Sequence, residues 1–94
     1  MIKSWKSAAT RRFAAEGKGR FGGLDQDKAR ARLQLLDAAL SISEIPPLAS
    51  VGLHKLKGER KNQWAMTVNQ RWRICFEFRK GDAYEVEITD YHKG

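Results

Sequence analysis

Near its end the chain reads "VEITDYHKG", which sets a carboxylate, a phenol and an imidazole side by side at Asp90, Tyr91 and His92. Two earlier stretches carry groups of related type. In "LHKLKGERK" His54 and Lys57 stand three apart, and "QRWRICFEF" holds Arg71 and Arg73. Imidazole and phenol can give and take protons, whereas ammonium and guanidinium can hold an anion. Arginine suits phosphate in particular, because its planar fork makes two charge-assisted hydrogen bonds at once.

Together these are the ingredients of RNA cleavage without a metal. Such a reaction deprotonates a 2′-OH, stabilises the charge on a five-coordinate phosphate and protonates the departing 5′ oxygen. Two histidines and one cysteine, Cys75, are a poor basis for a metal site, and one cysteine excludes an internal disulfide. No cofactor is expected.

Each residue also has a plainer reading. His54 near two leucines can be a packed or surface histidine, and Lys57 a solvated basic turn. Arg71 lies beside a turn, where a solvated face and an RNA contact both fit. Arg73, two residues into its strand, calls for a buried anion partner or a functional role. Asp90 alternates in phase with Tyr84, Val86 and Ile88, which aims it at the core, where an unpaired carboxylate is costly. Burial therefore favours a pair with a nearby arginine, or capping of backbone amides, over direct catalysis.

The 94 residues fit one domain, residues 1–94, and 41% apolar content suffices for one modest core. The net charge is +7 and the pI near 9.9, which points to a polyanionic partner. Five of the seven net charges lie between His54 and Arg73, where Lys55, Lys57, Arg60, Lys61, Arg71 and Arg73 face Glu59 alone. Lys55, Arg60, Lys61 and Arg71, with Arg11, Arg12 and Lys18 earlier in the chain, are candidate RNA contacts that would set affinity and its salt dependence. No signal peptide or membrane-length apolar run is visible, so a soluble, cytoplasmic protein without membrane contact is expected.

The elements that must position these residues follow from periodicity. "IKSW" reads as a short first strand, and Ser7 caps a helix "AATRRFAAE" that stops at Gly17. "GKGRFGG" reads as a mobile connection. Asp25 caps a second helix with Ala29, Leu33, Leu36 and Leu40 on one face, ended by Pro46 and Pro47. The period then becomes two. Trp64, Met66 and Val68 share a face, as do Trp72, Ile74, Phe76 and Phe78, with "NQR" as the hairpin between them. Gly81 and Asp82 form the next turn, after which Tyr84, Val86 and Ile88 point inward and Glu85 and Glu87 outward. "LHKLKGE" is read as a strand leading into a Gly58 turn. The fold class is α+β: an N-terminal strand, two helices and an antiparallel β-meander, with the helices on one face of the sheet.

In that order, after two helices, "LHKLKGERKNQW", "TVNQRWRICFEF" and "EITDYHKG" resemble the HigB branch of the RelE-like toxins. The resemblance covers nearly the whole chain, including "MIKSW" and "RARLQLLDAA". It implies a ribosome-dependent mRNA interferase, the toxin of a toxin–antitoxin pair. Such an enzyme cuts mRNA in the ribosomal A site; it would be monomeric and neutralised by a HigA-like helix-turn-helix antitoxin. It also implies a site drawn from His54, Lys57, Arg73, Asp90, Tyr91 and His92, all of which are present. In one departure, some relatives have an arginine where this chain has Asn69, and this chain has Arg71 two positions on.

Two other classes stay open at this point. Gyrase-poisoning toxins of the ParE type share the fold without RNA chemistry, against which the Lys57, Arg73 and Tyr91-His92 set speaks. A non-catalytic RNA-binding module would need exposed aromatics for stacking, yet Trp64, Trp72, Phe76 and Phe78 fall on core-facing stripes.

Overall fold

The computed structural model describes residues 1–90. Two helices, α1 (Ala8–Glu16) and α2 (Gln26–Ala38), precede an antiparallel sheet of β1 (His54–Lys55), β2 (Trp64–Asn69), β3 (Trp72–Arg79) and β4 (Asp82–Asp90), paired in sequence order. Both helices begin as their caps dictate. Ser7 Oγ accepts from the Thr10 amide at 3.2 Å, and Asp25 Oδ1 accepts from the Lys28 amide at 3.0 Å. Gly17 closes α1 at φ 75°, its N–H donating to Phe13 O at 2.7 Å.

The helices cover one face of the sheet. There Phe13, Ala29, Leu33 and Leu36 pack on Met66, Val68, Ile74, Phe76, Ala83, Val86 and Ile88 in one buried cluster. The second helix ends at Ala38, well before the prolines. Its cap Ala39 is already extended, so Leu40 leaves the predicted apolar stripe and is 72% exposed. A 3-10 turn, Ile42–Glu44, then delivers Ile45 to the core in its place.

The expected first strand is reduced to two isolated parallel bridges to β4, Ile2↔Ala83 and Trp5↔Val86. The cause lies in β4. A bulge puts Glu85 at φ 53° and shifts the register with β3 between Cys75 and Glu77. Ser4 plugs it: its Oγ accepts from the Glu85 amide at 2.8 Å and donates to the Glu85 carboxylate at 3.0 Å. The same bulge corrects the expected alternation. Ala83, Val86 and Ile88 face the helices, whereas Tyr84 pairs with Glu77 and lies under the Arg79 guanidinium, 4.0 Å from its ring centroid.

The first hairpin turn is tighter than the sequence suggested, and the second lies one residue earlier. Gln70 and Arg71 join β2 to β3, and Lys80 and Gly81 join β3 to β4, with φ of 50° and 81° at the latter two. "LHKLKGE" pairs for two residues before a 3-10 turn, Gly58–Arg60. The glycine-rich connection is tied down. Phe21 packs edge-on between Phe13 and Trp72, and Trp72 Nε1 donates to Gly22 O at 2.9 Å.

Candidate active site

On the face of the sheet away from the helices, the register lines up the chemistry. His54 is opposite Ala65, Ala65 opposite Cys75, and Cys75 opposite Glu87. Opposed residues of an antiparallel pair share a face, so these four side chains form one row across the sheet. The next row holds Thr67, Arg73 and Thr89. With strands about 4.8 Å apart and two residues spanning about 6.7 Å, the Cα atoms of His54 and Arg73 are about 12 Å apart. Both side chains leave the same face of the sheet. Gly52 borders it: a Cβ there would lie 2.8 Å from Thr67 Oγ1, and its φ is +58°.

His54 is exposed, and its Nδ1 lies 2.8 Å from Gly52 O. A carbonyl only accepts, so Nδ1 carries the proton in that bond. In the neutral ring Nε2 is then the basic nitrogen, directed away from the backbone. Arg73 is half-buried and donates through Nη1 to Gln70 O at 2.7 Å and Trp72 O at 3.0 Å. Among the described residues no carboxylate pairs with Arg73. The expected buried anion partner is absent there, and the hairpin carbonyls steady one branch of the fork.

Arg60 leaves the 3-10 turn and reaches across this face. Its Nη1 bonds to Gln63 Oε1 at 3.0 Å and lies 3.5 Å from Glu87 Oε1 on the far strand. Beneath it, Leu56, Ala65 and Cys75 form a small second buried cluster. Burial pushes the Cys75 thiol above its usual value of 9.0; Arg60 opposes this, Glu87 reinforces it, and Arg73 and Lys6 oppose it more weakly. Three cations and one carboxylate therefore act on the centre of the face. The Arg60–Glu87 pair escaped the sequence reading because its members are 27 positions apart; the outward phase of Glu87 was its one visible sign.

Asp90 has the arginine partner that its phase required. Arg71 Nε lies 2.9 Å from Asp90 Oδ2, at the end of the sheet where Trp72 pairs with Asp90. Asn69 turns the other way and serves the fold. Its Oδ1 accepts from the Asp25 amide and its Nδ2 donates to Gly23 O, both at 2.8 Å. Lys57 is exposed, extended and next to the 3-10 turn, at the edge from which His54 and Arg60 enter the site. Tyr91 and His92 lie outside the described residues.

The structure thus brings His54, Arg60 and Arg73 to one face, with Lys57 at its edge and Arg71 and Asp90 at its end. Lys55 is not of this group: it turns to the helix side, its Nζ 5.9 Å from the Trp64 ring. Arg11 and Arg12 are exposed on α1, in the opposite layer, and Lys61 is exposed beyond the 3-10 turn. Among the described residues no three His, Cys, Asp or Glu side chains are grouped to hold a metal ion, and no helix is long and apolar enough to cross a membrane.

Residues 3–92 match the family described as RelE-like toxin of type II toxin-antitoxin system HigB. The chain belongs to this family. It is 39% identical over 93 residues to the protein named Endoribonuclease HigB from Proteus vulgaris, covering 98% of this chain and 100% of that one. A solved crystal structure of a YafQ mutant from E. coli superposes with a TM-score of 0.59 over 94% of this chain and 91% of that one. At 17% identity that likeness shows the shared α+β fold of two helices and an antiparallel sheet.

Proposed function

We propose that this protein is an endoribonuclease toxin that cuts mRNA in the ribosomal A site and is neutralised by a HigA-like helix-turn-helix antitoxin. The observation that carries the reading is the full-length relation to a protein named as an endoribonuclease. The helix-free face supports the reading, because it carries the His54 imidazole and the Arg60 and Arg73 guanidinium groups together.

In this mechanism Arg73 and Lys57 bind the scissile phosphate. A base takes the 2′-OH proton; the 2′ oxygen then attacks phosphorus, forming the fifth P–O bond. Arg73 and Lys57 offset the charge that builds on the equatorial oxygens. The bond to the 5′ oxygen breaks and an acid protonates that oxygen, leaving a 2′,3′-cyclic phosphate and a 5′-OH. Tyr91 and His92 are the proposed proton carriers, and His54 either takes the 2′ proton through Nε2 or orients the ribose. Asp90 completes the set through its neighbours.

The test is in vitro translation of a defined message with purified protein, mapping 5′ ends by primer extension, beside a ribosome-free control. Codon-phased cuts that need ribosomes are expected, and Arg73→Ala should reduce them by about 10²- to 10³-fold while the protein stays folded. An intact message with translation or DNA supercoiling still inhibited would make the protein a binding toxin on the same fold.

A further inference from the structure

Arg60 is held over the helix-free face by contacts on both sides. Its 3-10 turn is pinned by the backbone: the Lys61 amide donates to Gly58 O at 3.1 Å, the Gln63 amide to Arg60 O at 2.8 Å and the Leu56 amide to Gln63 O at 2.9 Å. Arg60 Nη1 then donates to Gln63 Oε1 at 3.0 Å, and Gln63 is only 8% exposed. On the far side the same Nη1 lies 3.5 Å from Glu87 Oε1, which is shut off from solvent and has no hydrogen-bond partner among the described residues. A buried carboxylate oxygen without a donor is costly, and a buried ion pair is a weak source of stability, so the arrangement calls for another reason.

That reason lies in what Arg60 stands over. Glu87 is opposite Cys75, one row along the sheet from Arg73. Burial raises the Cys75 thiol, and of the cations acting against it Arg60 comes first, then Arg73, so both guanidinium groups stand close to one thiol. They converge from different elements, Arg60 from the 3-10 turn and Arg73 from β3. Other positions that might supply a second cation face elsewhere. Arg71 pairs with Asp90 at the end of the sheet, Asn69 is tied to the glycine-rich connection, and Lys57 is exposed at the edge.

We propose that Arg60 is a catalytic residue, the second guanidinium on the scissile phosphate beside Arg73, and that Glu87 is the positioning residue that holds it there. The proposal rests on the endoribonuclease reading of this face. As the 2′ oxygen adds to phosphorus, the non-bridging oxygens gain negative charge, and a guanidinium already in place meets it without rearrangement. Glu87 steadies Arg60 by charge, with no hydrogen bond at Oε1 for a phosphate to break.

Single-turnover cleavage of a defined message on programmed ribosomes tests this. Arg60→Gln is expected to slow cleavage at saturation by about 10²- to 10³-fold. Arg60→Lys keeps the charge beside Glu87 but loses the fork, so it should recover only part of the rate; it also carries the test if Arg60→Gln does not fold. Glu87→Gln should slow cleavage by up to about 10²-fold and add nothing in the Arg60→Gln background, because it acts only through Arg60. A message with sulfur in place of one non-bridging oxygen at the scissile phosphate separates contact from support. The sulfur penalty of one diastereomer should shrink in the Arg60 variants. Unchanged penalties for both diastereomers, an unchanged rate in Arg60→Lys and Arg60→Gln, or losses that multiply between Glu87→Gln and Arg60→Gln each overturn the proposal. A wild type that cuts no message overturns the nuclease reading and this proposal with it, whereas a wild type that cuts no faster than its Arg60 variants overturns this proposal alone.

Discussion

Replacing Thr10 by valine removes the hydroxyl that joins the helix layer to the last strand. Thr10 is fully buried, and its Oγ1 accepts from the Ile88 amide at 3.0 Å while bonding to Ser7 Oγ at 2.8 Å. Valine has the same shape and branching, so it opens no cavity and costs little helix propensity. What remains is a buried amide without its acceptor and a Ser7 hydroxyl short of one partner, the amide alone worth about 1–3 kcal/mol, partly offset by the added methyl group. A net loss of about 1.5 kcal/mol lowers Tm by about 6–12 °C in a domain of this size. Urea titration and calorimetry would measure it, with an unchanged m-value showing that the denatured state is not involved. Thr10→Ser keeps the oxygen and should lose only the methyl contribution, about 1 kcal/mol. If valine is as stable as threonine, or serine is the weaker of the two, the Thr10–Ile88 bond does not hold β4 as described.

Cys75 gives a pH signature. Its raised pKa means that the folded state keeps the thiol proton longer than the unfolded one, so stability falls as pH climbs past 9.0, and Cys75→Ala should flatten that decline in urea unfolding between about pH 8 and 10.5. Lys80 sits at φ 50° before Gly81 at 81°, the backbone of a two-residue hairpin turn that favours Asn-Gly, so Lys80→Asn should raise stability by about 0.5 kcal/mol in thermal melts. Arg11→Ala with Arg12→Ala, remote from the site face, should weaken ribosome binding and reduce its salt dependence while leaving the single-turnover rate at saturation unchanged.

What the sequence revealed and what it concealed divide along one line. Local signals were readable: the Ser7 and Asp25 caps, Gly17 as a helix stop, and the apolar alternation of β2 and β3. So was the need of Asp90 for a partner, an arginine or backbone amides, because its phase aims a carboxylate at the core. The misreadings arose where one residue altered the register. Glu85 at positive φ is a single inserted position, yet it moves Tyr84 off the core face and breaks the first strand into two bridges. Nothing in "AYEVEI" announces that bulge, since its stabilising partner is Ser4, 81 positions away. Similarly, "GKGRFGG" looks loose by composition and is anchored by Asn69 and Trp72 from the hairpin. On the helix-free face, residue type alone singled out His54 and Arg73 as candidates, whereas the reach of Arg60 to Glu87 depended on strand order.

The segment ahead of α1 has a consequence for how the molecule comes into being. Met1, Lys3, Ser4 and Lys6 exchange backbone hydrogen bonds with Ala83 and Val86, so residues made early find their partners only in β4. Thr10 likewise waits for Ile88. Contacts of such long sequence separation close late in folding. A nascent chain lacking β4 has neither the docking edge for this segment nor Asp90, and the sheet cannot be completed until that strand has left the ribosome. The order of the elements therefore delays completion of the sheet until β4 is available to it.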